Sequence, residues 1–171
     1  SKIMAENIFY LAREQGVPIN IMRPATITWA DTETPFINDD AFLKFYKACL
    51  DIAAYPHSSL KVNLVPVDFV AQSITAITQT NYGNSKNFHL VSADSLNVEQ
   101  IYHWFIELGC QLQGFEFTEW QQKLQDNFVA GFINLYFKEG MDNGGHHQYG
   151  MENLIEANQS FDITAFKVSK D

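Results

Sequence analysis

The chain has 171 residues, of which 46% are hydrophobic, 18% charged and 14% aromatic, and its formal net charge is −9. This length fits one domain or one lobe of a larger one, able to bury roughly two-thirds of its unfolded surface. The composition excludes disorder over the whole chain. The acidic balance excludes a broad basic surface for nucleic acid, and no apolar run is long enough for a membrane span. The opening residues SKIMAENIFYLAREQG carry acidic side chains and no cleavage-like site, so they do not read as a signal peptide. Cys49 and Cys110 are too few for a disulfide framework and form no C-x-x-C, which predicts a reducing, cytoplasmic setting. The sequon Asn158-Gln159-Ser160 then reads as a chance match.

The periodicity predicts a helix over 2–15, with Met4, Ile8, Leu11 and Ala12 on one face and Ala5 and Phe9 beside them. Gly16 stands where a helix ends, and Pro18 prevents resumption. A chain that opens inside a helix with no preceding cap is expected of a segment of a longer protein. Residues 19–22 read as a short strand stopped at Pro24. Helix, loop and strand make half of a βαβ unit, hence a parallel sheet. A helix over 39–53 follows, with Phe42, Leu43, Tyr46 and Leu50 on its apolar side. Strands are expected at 62–65, 87–91 and 115–117. Asp68 reads as the cap of a helix carrying Phe69, Val70, Ile74 and Ile77. Asn97 with Gln100, and Thr118 with Gln121, open two further helices, the first ended by Gly109. Residues 128–137 are almost wholly apolar and fit either a buried helix or a docking surface. Residues 138–150 read as a Gly-rich mobile loop and 151–171 as a weakly patterned tail.

Three segments, taken in order, resemble the extended short-chain dehydrogenase/reductase family in its thioester reductase branch. Ser1-Lys2 followed by Ala5-Glu6 resembles the end of the family's Tyr-x-x-Ser-Lys motif and the helix it opens. Val17-Pro18-Ile19-Asn20-Ile21-Met22-Arg23-Pro24 resembles the strand whose end reaches the nicotinamide. Asn63-Leu64-Val65-Pro66-Val67-Asp68-Phe69-Val70-Ala71 resembles the family's Val-Pro-Val-Asp-x-Val-Ala stretch, and Glu119-Trp120 is family-like too. The resemblance covers roughly residues 1–125. It implies an α/β fold: the C-terminal portion of a Rossmann-type parallel sheet with a mostly helical substrate-binding lobe over 1–127, and a helical extension, loop and tail of the same domain over 128–171.

The implied chemistry is hydride transfer from NADPH to an acyl or peptidyl thioester held on the phosphopantetheine of a carrier protein, releasing an aldehyde or alcohol. Lys2 matches the family's catalytic lysine. At that position it holds the nicotinamide ribose and favours the ionised form of a Tyr one helical turn earlier, since residues i and i+4 share a helix face. That Tyr falls ahead of Ser1, and these residues contain no G-x-G-x-x-G cofactor turn, so the isolated fragment is expected to be inactive. The resemblance places Pro24, Ala25 and Ile27 against the cofactor, although the family often has Gly where Ala25 stands and a small residue where Trp29 stands. It places Phe42 and Tyr46 beside the substrate, against the alternative that this aromatic stripe is core. Two rival readings are a sugar-nucleotide epimerase or dehydratase of the same superfamily, and a non-catalytic lobe that binds a carrier protein or an acyl chain.

Asp68 reads as a cap rather than a catalytic acid. Lys44 and Lys47 read as a solvated face rather than a carrier-docking patch. His146-His147 lacks the i,i+4 spacing of a helical metal pair, so no metal site is expected. His89 and His103 read as structural. The uncovered apolar faces of 3–12 and 19–22 predict self-association of the fragment.

Overall fold

The computed structural model describes residues 2–30, 41–79, 84–124 and 149–161. They form a mixed α/β structure with parallel strands, divided into two compact units. The expected segments at 128–137 and 138–148, His146-His147 among them, lie outside the described residues.

The first unit begins with α1 (Lys2–Glu14). Gly16, at φ +81°, ends it, and the Gly16 and Val17 amides donate to the Arg13 and Ala12 carbonyls. That Schellman pair closes the helix as its sequence predicts. β1 (Ile21–Pro24) pairs in parallel with β6 (Asn87–Leu90) from Ile21↔Asn87 to Pro24↔Leu90. β2 (Thr26–Thr28) pairs in parallel with β5 (Leu64–Pro66). α3 (Val67–Gln79) buries Phe69, Val70, Ser73 and Ile77. α6 (Glu152–Phe161) adds Leu154 and Ala157 to the same core, with Val65, Phe88 and Leu90. The stretch expected to be a weakly patterned tail thus contains a packed helix. Its polar residues also hold it: Asn153 Nδ2 donates to the Asn87 carbonyl at 2.8 Å, and Lys86 pairs with Glu156 at 3.1 Å. Asn158 lies within this helix, with a buried amide oxygen.

The second unit contains α2 (Ala41–Asp51), α4 (Val98–Glu107) and α5 (Phe117–Lys123). β3 (Ala54–Pro56) runs parallel to β8 (Gln113–Phe115), and β4 (Lys61–Val62) runs antiparallel to β7 (Leu96–Asn97). Asn97 caps α4 by accepting from the Glu99 amide at 2.8 Å, as the sequence predicts. The core is aromatic: Phe45, Tyr46, Tyr55, Tyr102 and Trp120 cluster with Cys49, Ala54 and Val98. Trp120 is fully buried and donates its indole N–H to the Ala54 carbonyl at 3.2 Å.

Several boundaries differ from the expected ones. The strand expected at 62–65 is two strands, parted at Asn63. That side chain accepts from the Ser92 amide at 2.8 Å and donates to the Ser92 carbonyl at 2.9 Å, so tertiary hydrogen bonding overrides the local pattern. α3 begins at Val67, which puts Asp68 in its first turn rather than at the cap; its carboxylate there complements the helix dipole. The strand expected at 115–117 ends at Phe115, α5 begins at Phe117, and the cap position is Glu116 rather than Thr118.

Candidate functional site

The polar side of α1 is fastened to β1 and β6. Arg23 on β1 donates from Nε to Glu6 Oε1 at 2.9 Å and from Nη2 to Glu6 Oε2 at 2.6 Å, a two-pronged pair that fixes direction as well as distance. The same Nη2 donates to the Tyr10 hydroxyl at 2.8 Å, and Asn87 Nδ2 donates to that oxygen at 3.0 Å. Arg13 holds the Ile19 and Lys86 carbonyls at 2.9 and 2.8 Å. The hydrogen bonds from Arg23 hold the Glu6 carboxyl below the usual carboxylate range, against a smaller opposing effect of desolvation. Glu6 in turn raises the proton affinity of Arg23.

His89 completes the cluster. Arg23 Nη1 lies 3.3 Å from His89 Nε2 and can only donate, so Nε2 accepts and the ring proton sits on Nδ1. That nitrogen donates to the Gly150 carbonyl at 3.0 Å. His89 is therefore structural, as its place in a strand suggested. The network was legible in part, because Glu6 and Arg23 both lie in motif segments. Tyr10 and His89 carried no sequence signal that joined them to it.

Lys2 is exposed in the first turn of α1, four residues before Glu6 and so on the same side of the helix. Pro24 closes β1 and is exposed, Ala25 is half-buried with its amide donating to the Leu90 carbonyl, and Ile27 on β2 is 41% exposed. Pro24 and Ala25 stand at the carboxyl end of the β1–β6 pair, the edge where open α/β sheets bind ligands, and Ile27 is the middle residue of β2, paired with Val65. The Glu6–Arg23 pair ties the helix of Lys2 to the residue next to Pro24.

Phe42 and Tyr46 belong to the second unit. They meet edge to face with ring centroids 5.0 Å apart. Phe42 is half-buried, while Tyr46 is 5% exposed and packs against Phe45, Tyr102 and Phe105. Its hydroxyl is buried with no hydrogen-bond partner among the described residues. Burial raises its pKa strongly, with the neighbouring Cys49 adding to the effect. Burial likewise pushes the Cys49 thiol up to about 12, although Tyr102 and Trp120 partly offset it. Lys47 pairs with Asp51 at 2.7 Å on an exposed helix face, which agrees with the solvated reading. His57 Nδ1 lies 2.7 Å from Glu99 Oε1, and the ring lies over Gly114, where an added Cβ would come within 2.4 Å of it.

A family model described as Male sterility protein, an NAD-binding family, matches residues 1–74. The L-2-aminoadipate reductase large subunit of Eremothecium gossypii is 28% identical over 130 residues, covering 74% of this chain and 9% of that protein. The terminal R domain of the myxalamid PKS-NRPS biosynthetic pathway superposes with a TM-score of 0.81 at 18% identity, over 97% of this chain and 44% of that one. A thiolation-reductase di-domain from an archaeal non-ribosomal peptide synthetase gives 0.62 at 20% identity, over 92% and 39%.

The fold is thus that of Rossmann-type reductases. The solved reductase domains share this fold, and the family model that matches the first part of the chain is an NAD-binding one. The chain spans 2% to 13% of the length of its curated relatives and less than half of either solved reductase.

Proposed function

We propose that this chain is the C-terminal part of an NADPH-dependent thioester reductase, which releases an acyl or peptidyl group from the phosphopantetheine of a carrier protein as an aldehyde or alcohol. One observation carries the reading. The Glu6–Arg23 pair, at 2.6 and 2.9 Å, binds the two motif segments that the family uses at its nicotinamide. It holds the helix of Lys2 against the strand that ends at Pro24.

In this reading Lys2 holds the nicotinamide ribose and favours ionisation of the family's catalytic Tyr, four residues before it. Pro24, Ala25 and Ile27 offer the ring an apolar wall without a carboxylate. The exposure of Pro24 and Ile27 fits a flat heteroaromatic face. The bound NADPH supplies the hydride that reduces the thioester carbonyl. Phe42 lines the acyl path, with the Tyr46 ring packed behind it. A thiolation domain joined to a reductase in a solved protein of the same fold supports a carrier protein as partner. The 171 residues taken alone are proposed to be inactive, to bind NADPH weakly or not at all, and to self-associate.

The test is steady-state NADPH oxidation with an acyl thioester, using a reductase domain that carries this segment. Lys2→Ala should lower the rate by about 10²–10⁴-fold, mainly in kcat. Lys2→Arg should recover part of it, because guanidinium differs in shape and proton affinity. A near-wild-type kcat for Lys2→Ala would remove the motif assignment. For residues 1–171 alone, micromolar NADPH affinity by calorimetry would count against the fragment reading.

A further inference from the structure

β1 and β6 run parallel with Arg23 opposite His89, so the two side chains leave the same face of the pair, side by side. Along β6 the buried Phe88 and Leu90 alternate with the half-buried Asn87 and His89. Asn87 reaches Tyr10 on α1, so His89 lies on the face that meets that helix. The Arg23 guanidinium is planar and can only donate. Glu6 and Tyr10, both on α1, take its Nε and Nη2. His89 takes the remaining nitrogen, with Nε2 3.3 Å from Nη1. Held by α1 alone, the long Arg23 side chain could swing with that helix. His89 fastens its other edge to the sheet.

The grip needs a bare lone pair on Nε2, and the bond made by the other ring nitrogen decides whether one exists. Nδ1 donates to the Gly150 carbonyl at 3.0 Å, which keeps the proton there. Gly150 is a fixed acceptor. Met151, the next residue, packs against the core that contains Phe88 and Leu90, and its carbonyl accepts from the Ile155 amide at 2.8 Å. Asn153 bonds the Asn87 carbonyl at 2.8 Å, and the Tyr149 ring lies 5.8 Å from the imidazole.

We propose that His89 is a positioning residue of the reductase: α6 sets its tautomer through Gly150, and its bare Nε2 holds Arg23 so that the Glu6 pair keeps Lys2 aimed. This role rests on the reductase reading above. It gives work to two parts of the chain that the reading leaves unused, a strand histidine and the C-terminal helix. His89 acts through Arg23 and Glu6, and no atom of it enters the reaction. Lys2 stands four residues before Glu6 on the same helix, so a loosened Arg23 reaches the lysine through a single ion pair.

The experiment is steady-state NADPH oxidation with an acyl thioester by a reductase domain that carries this segment. His89→Asn and His89→Gln are compared with and without Lys2→Ala. Asn keeps an amide N–H near the place of Nδ1 and loses the acceptor for Arg23. Gln reaches further and puts its amide oxygen where Nε2 stands. His89→Asn should lower kcat by about 10–100-fold, since a misplacement of about 1 Å can cost about 10²-fold, with the thioester KM unchanged. His89→Gln should recover most of that loss. In the Lys2→Ala background His89→Asn should change kcat by less than about threefold, because groups that act as a unit are strongly non-additive. Wild-type kcat in His89→Asn overturns the role of His89 and leaves the reductase reading standing. A full further loss in the Lys2→Ala background does the same, because the effect then bypasses Lys2. Equal losses in His89→Gln and His89→Asn overturn Nε2 as the acceptor that matters. Near-wild-type kcat in Lys2→Ala overturns the reductase reading itself, and this role with it. If His89→Asn fails to fold, imidazole nitrogen NMR of the wild-type domain decides the question. A proton on Nδ1 with a bare Nε2 supports the proposal, and the Nε2–H tautomer overturns it.

Discussion

The buried Tyr46 hydroxyl gives the sharpest test of the second unit. The side chain is 5% exposed, and its oxygen has no hydrogen-bond partner among the described residues. An unsatisfied buried hydroxyl costs about 1–3 kcal/mol in lost hydration. Tyr46→Phe removes that group and leaves a gap the size of one oxygen atom, whose lost contacts cost well under 1 kcal/mol. The net expectation is stabilisation by about 1 kcal/mol, or a rise in Tm of roughly 2–4 °C for a chain of this size. Tyr102→Phe is the control. Its hydroxyl sits 3.6 Å from Cys49 Sγ in the same cluster, so its removal should be neutral or mildly destabilising. Urea unfolding followed by tryptophan fluorescence reads both variants, because Trp120 lies 5.9 Å from Phe45 in that core. Loss of more than about 1 kcal/mol in Tyr46→Phe would show that the hydroxyl is satisfied, and would return Tyr46 to candidacy as a polar contact for a ligand.

Contacts elsewhere set three further outcomes. Gly114→Ala should push His57 off Glu99, because the new Cβ would lie 2.4 Å from the imidazole. The expected loss is about 1–2 kcal/mol, and wild-type stability with an intact His57–Glu99 contact by NMR would refute it. Stability should also fall at both ends of the pH range. The Glu6 carboxyl is held below its usual 4.5, so its contribution is present above that value and is lost as pH falls through the lowered one. The Cys49 thiol is raised from 9.0 to about 12, so its contribution is present below pH 9 and is lost as pH rises towards 12. Alkylation at pH 8 should accordingly label Cys110 and spare Cys49 until urea unfolds the chain, as peptide mapping would show.

Much of the local structure was legible because a single physical signal set it. Gly16 and Gly109 both adopt positive φ and both end helices with the expected pair of amide bonds, a geometry that a Cβ disfavours. Asn97 was legible as a cap because its short side chain reaches the second amide of α4. The misreadings share a different cause. Asn63 looked like an interior strand residue, yet its amide is committed to Ser92, far along the chain. Residues 152–161 looked weakly patterned because only Leu154 and Ala157 are buried in that helix. Polar bonds from Asn153 and Glu156 do much of the holding, and no hydrophobic period reports them. The orientation of α1 was beyond any periodicity argument. The pattern shows that Met4, Ile8 and Leu11 share a face, but only the Arg23, Asn87 and Lys86 partners decide which face meets the sheet.

That orientation bears on how the motif residues divide their labour. In the proposed function the helix of Lys2 needs a fixed azimuth, and a hydrophobic stripe supplies azimuth only loosely, since apolar contacts are non-directional. A two-pronged guanidinium–carboxylate pair is directional. Glu6 lies one turn from Lys2, so fixing Glu6 against Arg23 fixes the side of the helix from which the ammonium projects. Arg23 is itself one residue before Pro24, so the same pair ties that direction to the strand end where Pro24 stands exposed. Tyr10, a turn further on, accepts from both Arg23 and Asn87 and thereby couples the arrangement to β6 as well. Ala5-Glu6 and Arg23-Pro24 thus form the joint that fixes α1 against β1, and under the proposed function that joint aims Lys2.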